Sequence, residues 1–404
     1  MNISYFCSYS SFFALYYNHP MSNALNNTEL VWVDRPQHLQ QVAEELASQD
    51  IIAVDTESNS LYAYQEQVCL VQISTQKKDY LIDALTLSDL TPLGEIFNSN
   101  RILKVFHAAE YDLICLFRDF GFRFNYIFDT MIAARTLGYE HIGLGSLLEQ
   151  YFDVHLDKKY QRANWGKRPL KAEMLAYARL DSHFLIPLME HLRAELVSAG
   201  LFKLAVEDFE RLAQGIEDTT ETCADDYWKI HGARDLTPEK AAVLKAVYQF
   251  RESIAKAQNR PPFKVFSNQA LIEMAVTCPK QQADLMKLSA LHQNQAKRYG
   301  RGLLEAIQIG EQAPPEYPPN HTRPYNSVQL RIEALLDWRK VTGKELGVPS
   351  DVVLPRDVLC RIARTNPSDL MSLKAQMFDV PYRFNRFGKE ILSVTSSGAS
   401  SLQE

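Results

Sequence analysis

Three short stretches of this 404-residue chain hold residue types suited to metal-assisted or acid–base chemistry. Asp55-Thr56-Glu57 follows an apolar, β-branched run, Ile51 to Val54. Residues i and i+2 of a strand point to one face, so the two carboxylates converge. Two acids at the end of a core strand are costly unless something cationic neutralises them, and a hard divalent ion held by oxygen ligands does so. Taken alone, the pair reads more readily as a capping Asp beside a solvent-facing Glu. The second stretch, Phe106-His107-Ala108-Ala109-Glu110-Tyr111-Asp112, leads from an apolar strand into a helix with Asp112 in its first turn. The third, Tyr177-Ala178-Arg179-Leu180-Asp181, is helical, and its i, i+4 spacing puts a hydroxyl and a carboxylate on one face. Each also has a plain structural reading: Asp112 as first-turn charge, Tyr177 as a half-buried aromatic, Asp181 as a surface acid. The order of the three is what makes the pattern specific.

The elements that must position these residues can be read from periodicity. Glu29 to Asp34 predicts a strand, and Asp34 is expected to cap a helix opening with Arg35-Pro36 and carrying Leu39, Val42 and Leu46. Further strands are expected at 51–54, 68–74, 80–82 and 102–106, with a helix over about 109–120. Asp129 is expected to cap a helix beginning near Thr130, and one long helix is expected over about 171–199. Early strands with interleaved helices predict a mixed α/β domain around one sheet. An acidic stretch, 207–226, reads as a linker or peripheral helix. Beyond it the chain is helical, interrupted by a segment with Pro314, Pro315, Pro318, Pro319 and Pro324, which no continuous helix tolerates. The segments on either side of this linker resemble each other at an offset of about 88 residues. Each has a helix with an aromatic-Arg pair, a Pro-containing elbow and a second helix, so two tandem helical modules are expected.

Composition narrows the classes. Hydrophobic residues at 46% and charged residues at 23% exclude wholesale disorder. No run of 18 apolar residues occurs, so no membrane partner is expected. Cys7, Cys69, Cys115, Cys223, Cys278 and Cys360 form no C-x-x-C pair, which argues against a thiolate zinc site and for a cytoplasmic protein. Residues 1–20 carry no Asp, Glu, Lys or Arg and lack a signal peptide's basic start, so they are read as an extension. The net charge of −6 divides into −13 over residues 1–230 and +7 over 231–404, a mildly basic footprint for a phosphate-bearing partner.

The three acidic stretches resemble the motifs of the DEDD 3′→5′ exonucleases, in the variant whose last motif is Y-x-x-x-D. More narrowly, the chain resembles the bacterial ribonuclease D family. The likeness extends through Phe128-Asp129-Thr130, Gly143 to Leu147, and Leu156 to Trp165 with Arg168-Pro169-Leu170. Ser58 and Ala163 depart from the family pattern at positions that are not metal ligands. The tandem modules resemble HRDC domains, the first more closely through Arg260-Pro261-Pro262-Phe263-Lys264-Val265 and Arg298-Tyr299-Gly300-Arg301. This resemblance implies an α/β ribonuclease H-like exonuclease domain, a mixed sheet flanked by helices, followed by two all-α HRDC-like modules. The expected limits are 1–28 extension, 29–205 exonuclease, 206–233 linker, 234–312 first module, 313–326 Pro-rich linker, 327–396 second module and 397–404 tail.

The same resemblance implies that Asp55, Glu57, Asp112 and Asp181 hold two Mg²⁺ or Mn²⁺ ions, which clamp the attacking and leaving oxygens of an in-line displacement. Tyr177 would orient or help deprotonate the attacking water. Candidate substrate contacts are Thr56, Lys158, Gln161, Trp165, Arg168, Lys264, Arg298 and Arg301, with Trp165 either stacking on a base or, with Pro169, simply packing the loop. His107 reads either as a group approaching the site or as a satisfied structural histidine, and Tyr299 either as a stacking or a core ring. No nucleotide-binding P-loop, dinucleotide fingerprint, H-E-x-x-H or G-x-S-x-G occurs, which excludes an ATP-driven helicase. The expected function is 3′-end trimming of RNA, such as tRNA precursors and small structured RNAs, by a monomer. A DNA exonuclease shares the same motifs, and a non-catalytic nucleic-acid-binding protein is the reading from another class.

Overall fold

The computed structural model describes residues 28–215, 226–319 and 326–400. Six strands form one mixed sheet: β1 Glu29–Val33, β2 Ile51–Ser58, β3 Val68–Ser74, β4 Lys78–Asp83, β5 Leu103–Phe106 and β6 Ile127–Asp129, in the order β1-β4-β3-β2-β5-β6. The β2–β3 and β3–β4 pairs are antiparallel, and β1–β4, β2–β5 and β5–β6 are parallel. Such a sheet needs cover on both faces. One face buries Ile52, Val54, Val71, Ile73 and Ile82 against α1 (Pro36–Ala47), α2 (Thr91–Asn98) and α3 (Glu110–Phe120). The other meets α4 (Thr130–Thr136), α5 (Leu144–Phe152), α6 (Ala172–His183), α7 (Leu185–Ser198) and α8 (Phe202–Gln214). The expected mixed α/β architecture is therefore present, followed by an all-helical half.

Several local expectations change. Arg35, not Asp34, stands at the N-cap of α1, because Pro36 already occupies the first turn, and no side chain caps it. The single helix expected over 171–199 is two helices meeting at Phe184. Pro187 explains the break: in a continuous helix its ring would clash with the carbonyl of His183, whereas a new helix starting at Leu185 places it in a first turn. Strand β6 and helix α2 were not foreseen. The acidic stretch after Val206 begins as part of packed helix α8, while residues 216–225 lie outside the described residues, as do 1–27, 320–325 and 401–404.

The helical half repeats itself element by element. The first set is α9 (Pro238–Ala257), α10 (Pro262–Val265), α11 (Asn268–Thr277), α12 (Gln282–Leu285) and α13 (Gln293–Gln312). The second is α14 (Asn326–Leu346), α15 (Ser350–Val353), α16 (Arg356–Thr365), α17 (Leu370–Gln376) and α18 (Pro381–Ser400). From the elbow onward the start of each helix recurs 88 positions later. The aromatic-Arg pair has a common job. Arg251 and Arg339 are buried, and their guanidinium groups donate to the Phe266 and Leu354 carbonyls that close each elbow.

The two sets meet the sheet domain differently. The second shares its core, with Leu335, Val353, Leu359 and Phe387 joining Phe128, Phe184 and Phe209. Arg383, fully buried, clamps this joint by bonding Glu207 at 3.0 Å, Asp208 at 2.8 Å and the Val352 carbonyl. These acids of α8 are thus interior partners rather than linker surface. The first set keeps its own core and touches the loop after β2 through Tyr64, whose backbone N–H donates to Asn259 Oδ1 at 3.1 Å. No helix among the described residues is long and apolar enough to cross a membrane.

Removing one partner of a buried ion pair strands the other. Arg383→Met is therefore expected to destabilise the joint by about 3–5 kcal/mol in urea unfolding, with faster amide exchange along α18. A loss below about 1 kcal/mol would show that the clamp does not hold the two parts together.

Candidate active site

The acids come together at the C-terminal end of β2. Pairing with β5 ends at Ala53–Val105, so the strand continues past its neighbour with one edge free. Asp55 and Glu57 point to the α6 face, and Thr56 points to the α3 face. Beyond Phe106 the chain turns sharply through Ala108, which adopts the left-handed conformation (φ 60°) that costs a β-carbon-bearing residue strain. That turn delivers α3 beside the free edge. The Asp129 carboxylate fastens it, accepting from the Ala109 N–H at 2.7 Å while capping α4 through Met131 and Ile132, as expected of a helix cap. Asp112, in the first turn of α3, then accepts a bond from the Thr56 hydroxyl. From the other layer, α6 lays Tyr177 and Asp181 over the same spot, 7% exposed each.

The electrostatics show how closely these groups sit. Burial, then the charges of Asp112, Asp181 and Glu57, hold the Asp55 carboxyl well above its ordinary range. Burial, then Asp181 and Asp112, do the same to Glu57. Burial pushes Asp112 up to about 7 against the relief of its Thr56 bond, and pushes Asp181 up to about 7 against the relief of its Tyr177 bond. The Tyr177 hydroxyl is driven far above its usual value by burial and by Asp181, Glu57 and Asp55. Among the described residues, none of the main influences on these groups is a Lys or Arg. Among the described residues no three acidic, His or Cys side chains already stand in ion-holding geometry. Asp112 is turned onto Thr56 and Asp181 onto Tyr177 instead. The donor set is nonetheless wholly carboxylate oxygen with no internal counter-charge, which fits hard divalent cations rather than soft ones.

The family description "3′-5′ exonuclease" matches residues 30–197, and "HRDC domain" matches 240–307 and 329–395. Ribonuclease D of Zymomonas mobilis is 34% identical over 278 residues, 67% of this chain and 70% of that protein. The chain belongs to the ribonuclease D family. The exosome complex exonuclease RRP6 of Saccharomyces cerevisiae is 34% identical over 273 residues, 64% of this chain but 37% of that protein. This ribonuclease D relative thus spans little more than a third of that exosome protein. The crystal structure of Escherichia coli RNase D superimposes with a TM-score of 0.66 at 21% identity, covering 87% of this chain and all of that one, which supports the fold.

Of the expected substrate contacts, this ribonuclease D relative keeps some exposed and spends others inside. Trp165 is 1% exposed, so it cannot stack on a base; it backs Tyr177, ring centroids 6.3 Å apart. Arg168 is likewise committed, forking onto Asp83 at 2.7 and 2.6 Å and onto the Trp165 and Cys69 carbonyls. Its partner lies 85 residues upstream, invisible to local spacing. Thr56 spends its hydroxyl on Asp112. His107 takes the structural reading: its Nδ1 bonds Thr130 Oγ1 at 2.9 Å, and burial lowers it to about 4, keeping it neutral. Tyr299 packs on Phe266 and bonds Gln258, so it is a core ring. Lys158 and Gln161 stay exposed on the turn Lys158–Arg162, whose Tyr160 ring lies 5.8 Å from Tyr177. Lys264 sits 4.1 Å over the Tyr62 ring, whose hydroxyl donates to the Arg162 carbonyl of that same turn. Arg298 and Arg301 are exposed on α13, where their contacts are with Tyr299 and Glu305. Tyr160 was missed, although the sequence places it beside Lys159 in a stretch already singled out.

An acid with a raised folded pKa stabilises the fold while protonated in both states, and that stability is lost as pH rises through the folded value. For Asp181 the window runs from its ordinary 3.8 to about 7. In EDTA, Asp181→Asn is expected to gain about 1–3 kcal/mol over the parent as pH rises through this window, the remaining acids sharing the relief. A gap in melting temperature that does not change between pH 4 and 8 would contradict the clustering.

Proposed function

We propose that this protein is a metal-dependent 3′→5′ exoribonuclease that releases nucleoside 5′-monophosphates. The observation that carries the reading is the clustered group Asp55, Glu57, Asp112 and Asp181 with Tyr177, in a chain of the ribonuclease D family. The four acids would hold two divalent ions, Mg²⁺ or Mn²⁺. Such ions, when bound, activate water and stabilise the departing 3′ oxygen of an in-line displacement. Tyr177 keeps its proton at neutral pH, so its hydroxyl serves to orient the attacking water rather than to act as a free base. Trp165 and Tyr160 both pack against that ring.

The substrate is read as the 3′ end of RNA, tRNA precursors and other small structured RNAs among them, met by a monomer in the cytoplasm. Family membership favours RNA over DNA, since relatives matched over these motifs carry the names ribonuclease D and exosome exonuclease. Residues 29–205 form the exonuclease domain in this reading, and 234–312 and 327–396 the two HRDC modules. The first module would extend the phosphate-binding lane from Lys158 and Gln161 through Lys264, with affinity that falls as salt rises.

Purified protein with Mg²⁺ or Mn²⁺ is expected to shorten a 5′-labelled RNA from its 3′ end and leave a DNA of the same sequence largely intact. EDTA and Asp55→Ala are expected to abolish the ladder, and Tyr177→Phe to slow it by about 10²–10⁴-fold. Equal loss of DNA would move the protein to the DNA exonuclease reading. Salt-sensitive binding without degradation would replace the enzyme reading with the binding one.

A further inference from the structure

Gln72 lies at the centre of β3, fully buried, and neither its amide oxygen nor its amide nitrogen has a hydrogen-bond partner. Buried polar side chains are ordinarily bonded, and an apolar residue is the cheap occupant of such a place. Its surroundings say why a polar one stands there. In the antiparallel register Gln72 is directly opposite Asp55, so the two side chains share a sheet face. On its other side is Leu81 of β4. Two residues along the strand in either direction are Leu70, packed beside Tyr177, and Ser74, whose hydroxyl bonds Ser182 of α6 at 2.8 Å. Gln72 therefore stands beside Asp55 on the sheet, beneath the helix that carries Tyr177 and Asp181.

We propose that Gln72 is a positioning residue for the carboxylate cluster, its amide N–H donating to an Asp55 oxygen not engaged with an ion. The inference rests on the metal-binding reading above and adds a residue to it. A carboxylate has more acceptor sites than one ion fills, and an amide supplies donors without a charge. A Lys or Arg at this place would neutralise the site itself and compete with the ion. An apolar side chain would leave Asp55 free to turn away, as Asp112 and Asp181 are turned onto their own partners. Partners of ligating carboxylates tune ion affinity in this manner.

The test is titration of the full-length protein with Mn²⁺, free ion read by electron paramagnetic resonance, beside melting temperatures in EDTA. Gln72→Met keeps the volume and removes the amide. It is expected to bind Mn²⁺ at least about tenfold more weakly than the parent while melting at the same temperature or higher. Gln72→Asn withdraws the amide by one methylene; it is expected to weaken binding likewise and serves if the Met variant does not fold. Parental Mn²⁺ affinity in a folded variant overturns the role of Gln72 alone. Absence of Mn²⁺ binding by the parent overturns it together with the metal reading, so the two failures are distinguishable.

Discussion

Four carboxylates gathered at one spot, Asp112 and Asp181 buried and Asp55 and Glu57 half-buried, with no Lys or Arg among the main influences on them in the described residues, are the constraint on which the rest of this structure depends. Like charges in a low-dielectric interior raise each other's proton affinity, and burial raises it further. Left to itself, such a cluster would spread apart or stay protonated. The fold denies the first option. Asp55 and Glu57 are fixed by a central strand, Asp112 by a helix start fastened through Asp129, and Asp181 by a helix packed across three strands. Stability is surrendered here for function, as is common where a site must bind charge.

The second layer of the design holds those elements still. Trp165 is buried, and Arg168 is committed to Asp83. Together with Asp83 they bind the loop before α6 to β3 and β4, and so set the height of Tyr177 above the sheet. The two helical modules repeat one plan yet dock in opposite ways. The second is welded to the sheet domain through a shared core and the Arg383 clamp. The first keeps a separate core and meets the loop after β2 through Tyr62 and Tyr64. It is the module placed beside the site.

What the sequence revealed follows from the range of the interactions involved. Strand alternation showed that Asp55 and Glu57 converge, helix spacing paired Tyr177 with Asp181, and Asp129 before a helical run announced a cap. The 88-residue repeat was readable because each module carries its own aromatic-Arg and elbow. Long-range pairings were not readable. Arg168 looks like a phosphate ligand until Asp83 is folded beside it, and whether Trp165 stacks or packs is open until its burial is known. Gln72 gave no signal, because its meaning lies in the register between two strands. Pro187 did signal the break between α6 and α7, and the apolar periodicity on both sides masked it.

The most direct measurement of the central claim is calorimetric titration of Mg²⁺ or Mn²⁺ in buffers of different ionisation enthalpy, which counts protons released on binding. Acids pushed up to about 7, as Asp112 and Asp181 are, must give up protons to accept ions. The account predicts about two ions bound per chain, with more than one proton released near pH 6.5 and fewer toward pH 8.5. It also predicts that Asp55→Asn weakens binding sharply. Ions that bind without releasing protons near pH 6.5, or a chain that binds none, would contradict the claim that these four acids form one ion-holding cluster.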